Sequence, residues 1–176
     1  MPYHPGQRLV PWVDPRLVAR PSPLGGRGFF ASAPVAPGEP LIRWGGVVFS
    51  ARELRDGAAD PDSVAVLAEG LYLGDPPGEL LREEYYLNHS CDPNLWMADE
   101  LTLAARRPVA RGEELTADYA LWLYGQDWTL EACGCGSPLC RGRVTAEDWR
   151  LPELRARYRG HFTPFINALI AEAPGV

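Results

Sequence analysis

The chain has 176 residues, of which 46% are hydrophobic and 23% charged, values that fit one soluble globular domain with a hydrophobic core. Its net charge of -6 argues against a protein that coats nucleic acid directly, and its apolar runs are too short to span a bilayer. The N-terminal residues lack the basic and apolar stretches of a secretory signal, so we expect a cytoplasmic protein, or a nuclear one if the source is a eukaryote.

The first half of the chain predicts short strands and turns, because proline and glycine are scattered through it. Residues 1–14 are expected to form an irregular arm, with Trp12 packed against the core. Residues 50–53 read Ser-Ala-Arg-Glu, a capping box that predicts a short helix ending near Gly57. The predicted strands of this half are residues 17–20, 29–33, 41–48, 64–67 and 71–73.

The second half adds short strands and closes with helices. Residues 79–84 predict one helical turn and residues 101–105 predict a strand. Residues 114–119 begin as a strand and end at a polar site. Pro152 suits the first turn of a helix that runs to about Tyr158. A last helix is expected to begin at residues 163–164 and to end before Pro174. The apolar residues expected on one face of that helix are Phe165, Ile166, Leu169 and Ile170.

Four cysteines are candidate metal ligands. Cys133, Cys135 and Cys140 share one glycine-rich segment, and Cys91 lies far upstream. Zinc prefers four ligands in a tetrahedron and binds thiolates well, so an ion held by all four would fasten the C-terminal segment to the middle of the domain. Four free thiols, or two disulfides in an oxidising compartment, are the alternatives.

Four segments, in this order, resemble the SET-domain lysine methyltransferases. They are residues 26–31 (Gly-Arg-Gly-Phe-Phe-Ala), 88–94 (Asn-His-Ser-Cys-Asp-Pro-Asn), 114–119 (Glu-Leu-Thr-Ala-Asp-Tyr) and 133–142, which carries three cysteines. The last segment is similar to the post-SET zinc segment of the family, whose fourth ligand is the cysteine of the second motif. The resemblance covers roughly residues 15–145, and it implies a Zn²⁺ ion on Cys91, Cys133, Cys135 and Cys140.

The resemblance implies a mostly β fold, in which small curved sheets surround a knot-like active site. A post-SET segment stapled by zinc and C-terminal helices would complete this fold. The implied divisions are an N-terminal arm (1–14), the SET domain (15–124) with a variable insert (50–84), the post-SET segment (125–145) and a C-terminal helical extension (146–176).

The resemblance also implies an enzyme that transfers a methyl group from S-adenosyl-L-methionine to a lysine of a basic protein, a histone or another. Tyr119 matches the catalytic tyrosine, whose hydroxyl would orient the amine. Trp44 is expected in the lysine channel, and Trp128 and Leu139 are expected near the adenine. The residues that match the cofactor site are Arg27, Gly28, Phe29, Tyr72, Tyr86, Asn88 and His89.

Some positions depart from the pattern of the family. Ala117 stands where many members carry Phe or Tyr, which predicts a roomier substrate channel and a product that is not limited to one methyl group. Tyr85 replaces a common Arg and Tyr86 the usual Phe. Asp118 is expected to hydrogen-bond across the knot as a structural residue.

Two other functions fit part of the pattern. A catalytically silent SET-like module would bind a peptide or protein, although Tyr119, Asn88 and His89 favour an enzyme. A small zinc-dependent nucleic-acid binder would need a basic stripe around the cysteine loop, and the acidic chain lacks one. Without the resemblance, a core aromatic position would be favoured for Tyr119 and would fit Trp44 equally well.

Overall fold

The computed structural model describes residues 3–78, 85–125 and 127–172, and most of its regular elements are short strands. The strands are β1 (Arg8–Leu9), β2 (Trp12–Val13), β3 (Leu17–Pro21), β4 (Arg27–Ala31), β5 (Pro40–Arg43), β6 (Gly46–Ser50), β7 (Ala65–Ala68), β8 (Leu71–Gly74), β9 (Asn88–His89), β10 (Leu95–Met97), β11 (Thr102–Ala105), β12 (Thr116–Ala117), β13 (Thr129–Leu130) and β14 (Val144–Thr145). The α-helices are α1 (Ala51–Arg55), α2 (Pro152–Arg157) and α3 (Pro164–Glu172), and short 3₁₀ helices lie at Pro61–Ser63, Tyr119–Leu121 and Asp148–Arg150. The helical turn predicted at residues 79–84 lies outside the described residues.

Two four-stranded antiparallel sheets form the framework, with strand orders β1-β6-β8-β7 and β10-β11-β5-β2. The strand predicted at residues 41–48 is divided between them, because the chain leaves one sheet at Trp44 and enters the other at Gly46. Gly45 marks this crossing: a Cβ atom there would collide with Pro11 and would lie 2.7 Å from the carbonyl oxygen of Leu9. The sequence prediction of one continuous strand was therefore wrong.

The first residues are also more ordered than the sequence predicted. β1 pairs with β6, and β2 pairs with β5, so each of these two-residue strands completes the edge of a sheet. The side chain of Trp12 is 44% exposed and does not pack into the core. The expected irregular arm with a buried Trp12 is therefore replaced by two edge strands with an outward-facing tryptophan.

The predicted capping box is confirmed at the start of α1. The Ser50 hydroxyl accepts a hydrogen bond from the backbone N–H of Glu53, and the Glu53 carboxylate accepts one from the backbone N–H of Ser50. These reciprocal bonds satisfy N–H groups that have no partner inside the helix.

The C-terminal helices belong to the main core. Leu154, Tyr158, Phe162 and Ile166 are all nearly inaccessible to solvent, and the backbone N–H of Thr163 donates to Leu121. The predicted starts of both helices at proline are confirmed. No helix in the described part of the chain is long and apolar enough to cross a membrane.

Two sequence motifs meet in a short parallel pair, β9 with β12, which places Asn88 opposite Thr116 and His89 opposite Ala117. Asn94, which is buried, fastens this pair. Its amide donates to the carbonyl of Glu114 at 2.7 Å and accepts from the N–H of Thr116 at 2.8 Å. The end of the first motif thus holds the second in register, and the backbone N–H of Tyr119 meets the ring of His89.

Candidate active site

The turn into β4 and the strand β9 form a cluster around Asn88. The side-chain amide of Asn88 donates to the carbonyl oxygen of Arg27 at 3.1 Å and to the Glu114 carboxylate at 2.8 Å. The backbone N–H of Phe29 donates to the carbonyl of Tyr86 at 2.9 Å, and the two rings meet edge to face. The structure therefore brings together five of the residues proposed for the cofactor site: Arg27, Gly28, Phe29, Tyr86 and Asn88.

Gly28 lies at the closest approach in this cluster. A Cβ atom at this position would collide with the Glu114 carboxylate and would lie 2.9 Å from the amide nitrogen of Asn88. Glu114 is held in turn by the hydroxyl of Ser22, at 2.7 Å. Sequence reasoning did not select Glu114, although its place at the head of the 114–119 motif was a usable signal.

His89 turns its side chain away from this cluster and into the protein. Its Nδ1 atom accepts a hydrogen bond from the backbone N–H of Tyr119, and its Nε2 atom lies 3.3 Å from the sulfur of Cys91. Burial lowers the pKa of His89 to about 4, so the ring is neutral at physiological pH. The ring supports the turn of Tyr119, and the backbone of His89 is the part available to a ligand.

Tyr119 begins the 3₁₀ helix that follows β12. Its hydroxyl donates to the carbonyl oxygen of Leu87 at 2.8 Å, and its ring lies 5.2 Å from that of Trp122 and 5.5 Å from that of Trp128. Burial raises the pKa of Tyr119 to about 12, so the hydroxyl stays protonated near neutral pH. It can therefore donate or accept hydrogen bonds, but it does not act as a base.

A cavity of about 290 Å³ opens in front of Tyr119. Its walls are largely aromatic and aliphatic, although Asp62 and Ser63 also line it, and the rings of Trp44 and Trp122 meet edge to face with centroids 4.8 Å apart. The other residues that form these walls include Val64, Leu73, Tyr85 and Trp128. Trp44, which was expected in the lysine channel, forms part of a wall of this cavity.

Tyr72 and Ala117 do not join these groups. Neither is among the described residues that line the cavity. Successive side chains of a strand point to opposite faces, so Leu73 of β8 lines the cavity while Tyr72 packs on the other side, against Phe49. Ala117 belongs to β12 and is fully buried in the core.

The carboxylate of Asp118 is entirely buried and makes several hydrogen bonds. The guanidinium of Arg141 donates to both of its oxygens, at 2.6 and 2.8 Å, and the hydroxyl of Tyr158 donates at 3.2 Å. Arg141 also donates to Asp148 at 2.8 Å. Asp118 therefore has the structural role expected from the sequence, because its acceptor positions are already used.

The four cysteines converge as the zinc hypothesis requires. The sulfur atoms of Cys91, Cys133, Cys135 and Cys140 all lie within 4.8 Å of one another, and the first two are 3.9 Å apart. Four Zn–S bonds of about 2.3 Å in a tetrahedron would separate the sulfurs by about 3.8 Å. All four are free thiols, and this mutual arrangement suits one tetrahedral ion better than two separate disulfides.

The loop that carries three of these cysteines is closed by strands. β13 pairs with β14, and the backbone N–H of Cys133 donates to the carbonyl of Gly142. Burial alone would raise the pKa of the Cys135 thiol, but hydrogen bonds from backbone N–H groups lower it to about 7, whereas burial raises the pKa values of Cys91 and Cys133. Cys135 is therefore the thiol of these three that most readily gives the thiolate that a metal ion needs. Leu139, expected near the adenine, is half exposed on this loop.

Comparison with known proteins identifies relatives for this arrangement. The SET domain model matches residues 26–120, more than half of the chain. The chain is 28% identical to histone-lysine N-methyltransferase ash1 of Drosophila melanogaster over 74% of its own length, and 30% identical to histone-lysine N-methyltransferase Set2 of the same organism over 69%. It spans 6% of the length of each of these relatives.

Solved structures show the same fold. The chain is similar to KRYPTONITE, solved in complex with mCHG DNA and SAH, with a TM-score of 0.58, 23% identity and coverage of 73% of this chain and 29% of that one. The methyltransferase domain of human SETMAR gives a TM-score of 0.54 at 21% identity, covering 70% of this chain and 55% of that one.

Proposed function

This chain belongs to the SET-domain family, and we propose that it is an S-adenosyl-L-methionine-dependent protein-lysine N-methyltransferase. The observation that carries this proposal is the junction of β9 with β12. It brings the strand that carries Asn88 beside the strand that leads to Tyr119, and Tyr119 lines an aromatic cavity. One small region thus offers a place for a methyl donor, an orienting hydroxyl and a channel for a side chain.

The residues of the Asn88 cluster fit the cofactor. Without a Cβ atom at Gly28, the Glu114 carboxylate and the Asn88 amide can lie close to the backbone, and the Asn88 side chain and the backbone of Arg27 and His89 would hold polar groups of the ligand. When bound, S-adenosyl-L-methionine supplies a methyl carbon to which the lysine nitrogen forms a bond, while the carbon–sulfur bond breaks and its electron pair stays on sulfur.

The cavity would prepare the lysine. A lysine ammonium has an ordinary pKa near 10.4 and must lose a proton before its nitrogen can attack. The apolar walls formed by Trp44, Trp122 and Leu73 disfavour the charged form and so lower that pKa. The Tyr119 hydroxyl donates to Leu87, so its oxygen lone pairs remain to accept an amine N–H and orient the nitrogen.

The substrate proposed is a lysine-bearing segment of a basic protein. The relatives ash1 and Set2 are named as histone-lysine methyltransferases, so histones are the first class to test. The net charge of -6 favours association with a cationic protein and disfavours direct binding of nucleic acid. We also propose that the four cysteines bind Zn²⁺, which would hold residues 133–142 against the site.

The proposal is tested by incubating the protein with S-adenosyl-L-methionine carrying a labelled methyl group and a mixture of basic proteins. Wild type should label protein lysines, and Asn88→Ala should bind the cofactor more weakly by calorimetry and label less. A folded, zinc-loaded protein that binds a basic protein but neither binds the cofactor nor transfers its methyl group would instead support the silent binding module.

A further inference from the structure

A second cavity lies outside the proposed active site, beside the pair formed by β3 and β4. Its volume of about 200 Å³ is smaller than the roughly 300–1,000 Å³ of pockets that enclose a whole small molecule, so it suits one functional group of a ligand. None of the described residues lines both this cavity and the one in front of Tyr119. The residues at the second cavity include Val18, Arg20, Phe30, Ser32, Arg111 and Gly112.

Among the described residues at this cavity, the charged side chains are both arginines. Arg20 and Arg111 are exposed, and neither forms an ion pair with a residue in the described part of the chain. By contrast, Arg107 forms an ion pair with Glu113 at 2.7 Å. Two such cations beside one cavity, in a chain whose net charge is -6, favour the binding of an anion there.

The guanidinium of Arg20 is held against an aromatic ring. Its central carbon lies 4.3 Å from the centroid of the Phe30 ring, and Phe30 pairs with Val18 across the two strands. The N–H groups of a guanidinium lie in its plane, so stacking on a ring leaves them free to donate at the edge. A stacked guanidinium also loses less side-chain freedom when it binds an oxyanion through two parallel hydrogen bonds.

Arg111 belongs to a turn that is fastened to β4. The backbone N–H of Gly112 donates to the carbonyl of Ala31 at 2.7 Å, and the N–H of Ala31 donates to the carbonyl of Glu113 at 3.0 Å. Gly112 has a φ of 85°, in the left-handed region that glycine adopts without strain. The two arginines therefore extend from segments of backbone that are hydrogen-bonded to the same small sheet.

A phosphate monoester matches these groups better than a carboxylate does. It carries about 1.5 to 2 negative charges near neutral pH and three acceptor oxygens, and two guanidiniums supply a matching charge and paired donors. Ser32 also lines the cavity, and its hydroxyl forms no hydrogen bond with the described residues. A nucleic acid would need a longer track of cations than two arginines in an acidic chain provide.

We propose that the cavity between Arg20 and Arg111 is a binding site for a phosphate monoester. The phosphate would be carried by a phosphorylated side chain of another protein or by a small phosphorylated compound. Val18, which is 45% exposed, offers an apolar contact for the group that bears it. This inference does not rest on the proposed methyl transfer, because neither arginine belongs to the proposed active site, and so each of the two proposals can fail without the other.

The test titrates the protein with small anions at low salt and measures binding by calorimetry and phosphorus NMR. The probes are the N-acetyl methylamide of phosphoserine, glycerol phosphate, and the N-acetyl methylamide of aspartate. Wild type should bind the phosphate esters more tightly than the aspartate compound, by on the order of tenfold. Tighter binding of the phosphoserine compound would indicate a phosphorylated protein as the source, and tighter binding of glycerol phosphate a free compound. Equal affinity for the aspartate compound, or no binding of either ester, would overturn the proposal.

Amide NMR of isotope-labelled protein locates the bound phosphate ester. The largest shift changes should fall on the backbone N–H groups of Ser32 and Gly112 and on the side-chain N–H of Arg20, because these residues line the cavity. The N–H of Gly134, on the cysteine loop, should not shift. Changes confined to the cysteine loop or to the cavity of Tyr119 would contradict the assignment.

Variants test the two guanidiniums. Arg20→Gln and Arg111→Gln should each weaken binding of the esters by on the order of tenfold, and the double variant by more. Arg159→Gln is the matched control, because Arg159 is exposed, has no ion-pair partner among the described residues and does not line the cavity. Wild-type affinity in the double variant would refute the site. If Arg20→Gln does not fold, Arg111→Gln and the shift map decide.

A single-stranded oligothymidine is the last probe. Each of its phosphodiesters carries one charge, so it should not displace the phosphate ester at comparable phosphate concentration. If it displaces the ester readily, and does so through the same two arginines, the proposal fails in favour of a nucleic-acid site.

Discussion

The carboxylate of Asp118 and the guanidinium of Arg141 form a bidentate ion pair, with donor–acceptor distances of 2.6 and 2.8 Å. Asp118 immediately precedes Tyr119, and Arg141 immediately follows Cys140. The pair therefore joins the turn that positions the proposed catalytic hydroxyl to the loop that would hold zinc. Through this pair, loss of order in the cysteine loop is expected to disturb the turn of Tyr119.

Replacing Arg141 with alanine should be strongly destabilising. The Asp118 carboxylate would remain buried without its cationic partner, a change that costs about 3–5 kcal/mol of unfolding free energy. Denaturant unfolding measures the loss. Arg143→Ala is the matched control, because the Arg143–Glu131 pair is exposed and is worth at most about 1 kcal/mol. Similar losses in the two variants would contradict the importance given to the Asp118 pair.

The cysteine cluster predicts a stoichiometric metal. The purified protein should contain about one Zn²⁺ per chain by elemental analysis, and removal of the metal by a strong chelator should lower the unfolding temperature. Cys140→Ser should reproduce both effects. Ser137→Ala, in the same loop, should keep the metal. A protein that retains full thermal stability after its metal has been removed would show that zinc does not fasten this segment.

Gly28→Ala should weaken cofactor binding. The new Cβ atom would meet the Glu114 carboxylate and the amide of Asn88, so both side chains must move from the places they hold. If the displaced Asn88 loses one or two hydrogen bonds to the cofactor, at about 1 kcal/mol each, the affinity for the cofactor should fall by about tenfold or more, as measured by calorimetry. Gly134→Ala is the control, because a Cβ atom there meets nothing within 4 Å. Unchanged affinity in Gly28→Ala would argue against a cofactor at this cluster.

The raised pKa of Tyr119 predicts how stability and the rate of methyl transfer depend on pH. The phenol has its ordinary pKa of 10.0 when unfolded and about 12 in the buried site, so its contribution to stability is complete below pH 10 and is lost as the pH rises through about 12. The rate of methyl transfer should thus rise with pH as the substrate amine loses its proton, without a decline from Tyr119 below about pH 10. Comparing the spectrophotometric titrations of wild type and Tyr119→Phe shows which high-pH phenol ionisation belongs to Tyr119. A Tyr119 phenol that ionises near pH 9 would contradict this expectation.

The sequence predicted best those features whose signal is local. The capping box at Ser50 is complete in four residues, and the helix start at Pro152 depends on one residue type. The cysteine cluster was also accessible, because three thiols share one loop and family resemblance supplied Cys91. The meeting of the motif that carries Asn88 with the motif that carries Tyr119 came from that resemblance and not from spacing, since it depends on the pairing of β9 with β12.

The features that the sequence missed depend on tertiary contacts. A two-residue strand such as β2 has no periodic pattern. At the crossing, Pro11, from another part of the chain, leaves no room for a Cβ atom at Gly45. The assignment of Tyr72 to the cofactor came from motif position and stays a prediction, while the register of β8 places Leu73 and not Tyr72 at the cavity. Trp122 lay outside the quoted motifs, so only the packing around Tyr119 shows that it forms part of the wall.

The proposed activity is tested most directly by identifying the residue that receives the methyl group. Wild type and Tyr119→Phe are incubated with labelled S-adenosyl-L-methionine and histones or other basic proteins, and the products are mapped by peptide mass spectrometry. Tyr3→Phe is the control, because the Tyr3 hydroxyl bonds to Glu100, outside the proposed site. We predict methyl groups on lysine nitrogen with wild type and Tyr3→Phe, and at least about a hundredfold less with Tyr119→Phe. Methylation confined to residues other than lysine, or equal lysine methylation by Tyr119→Phe, would contradict the proposed activity.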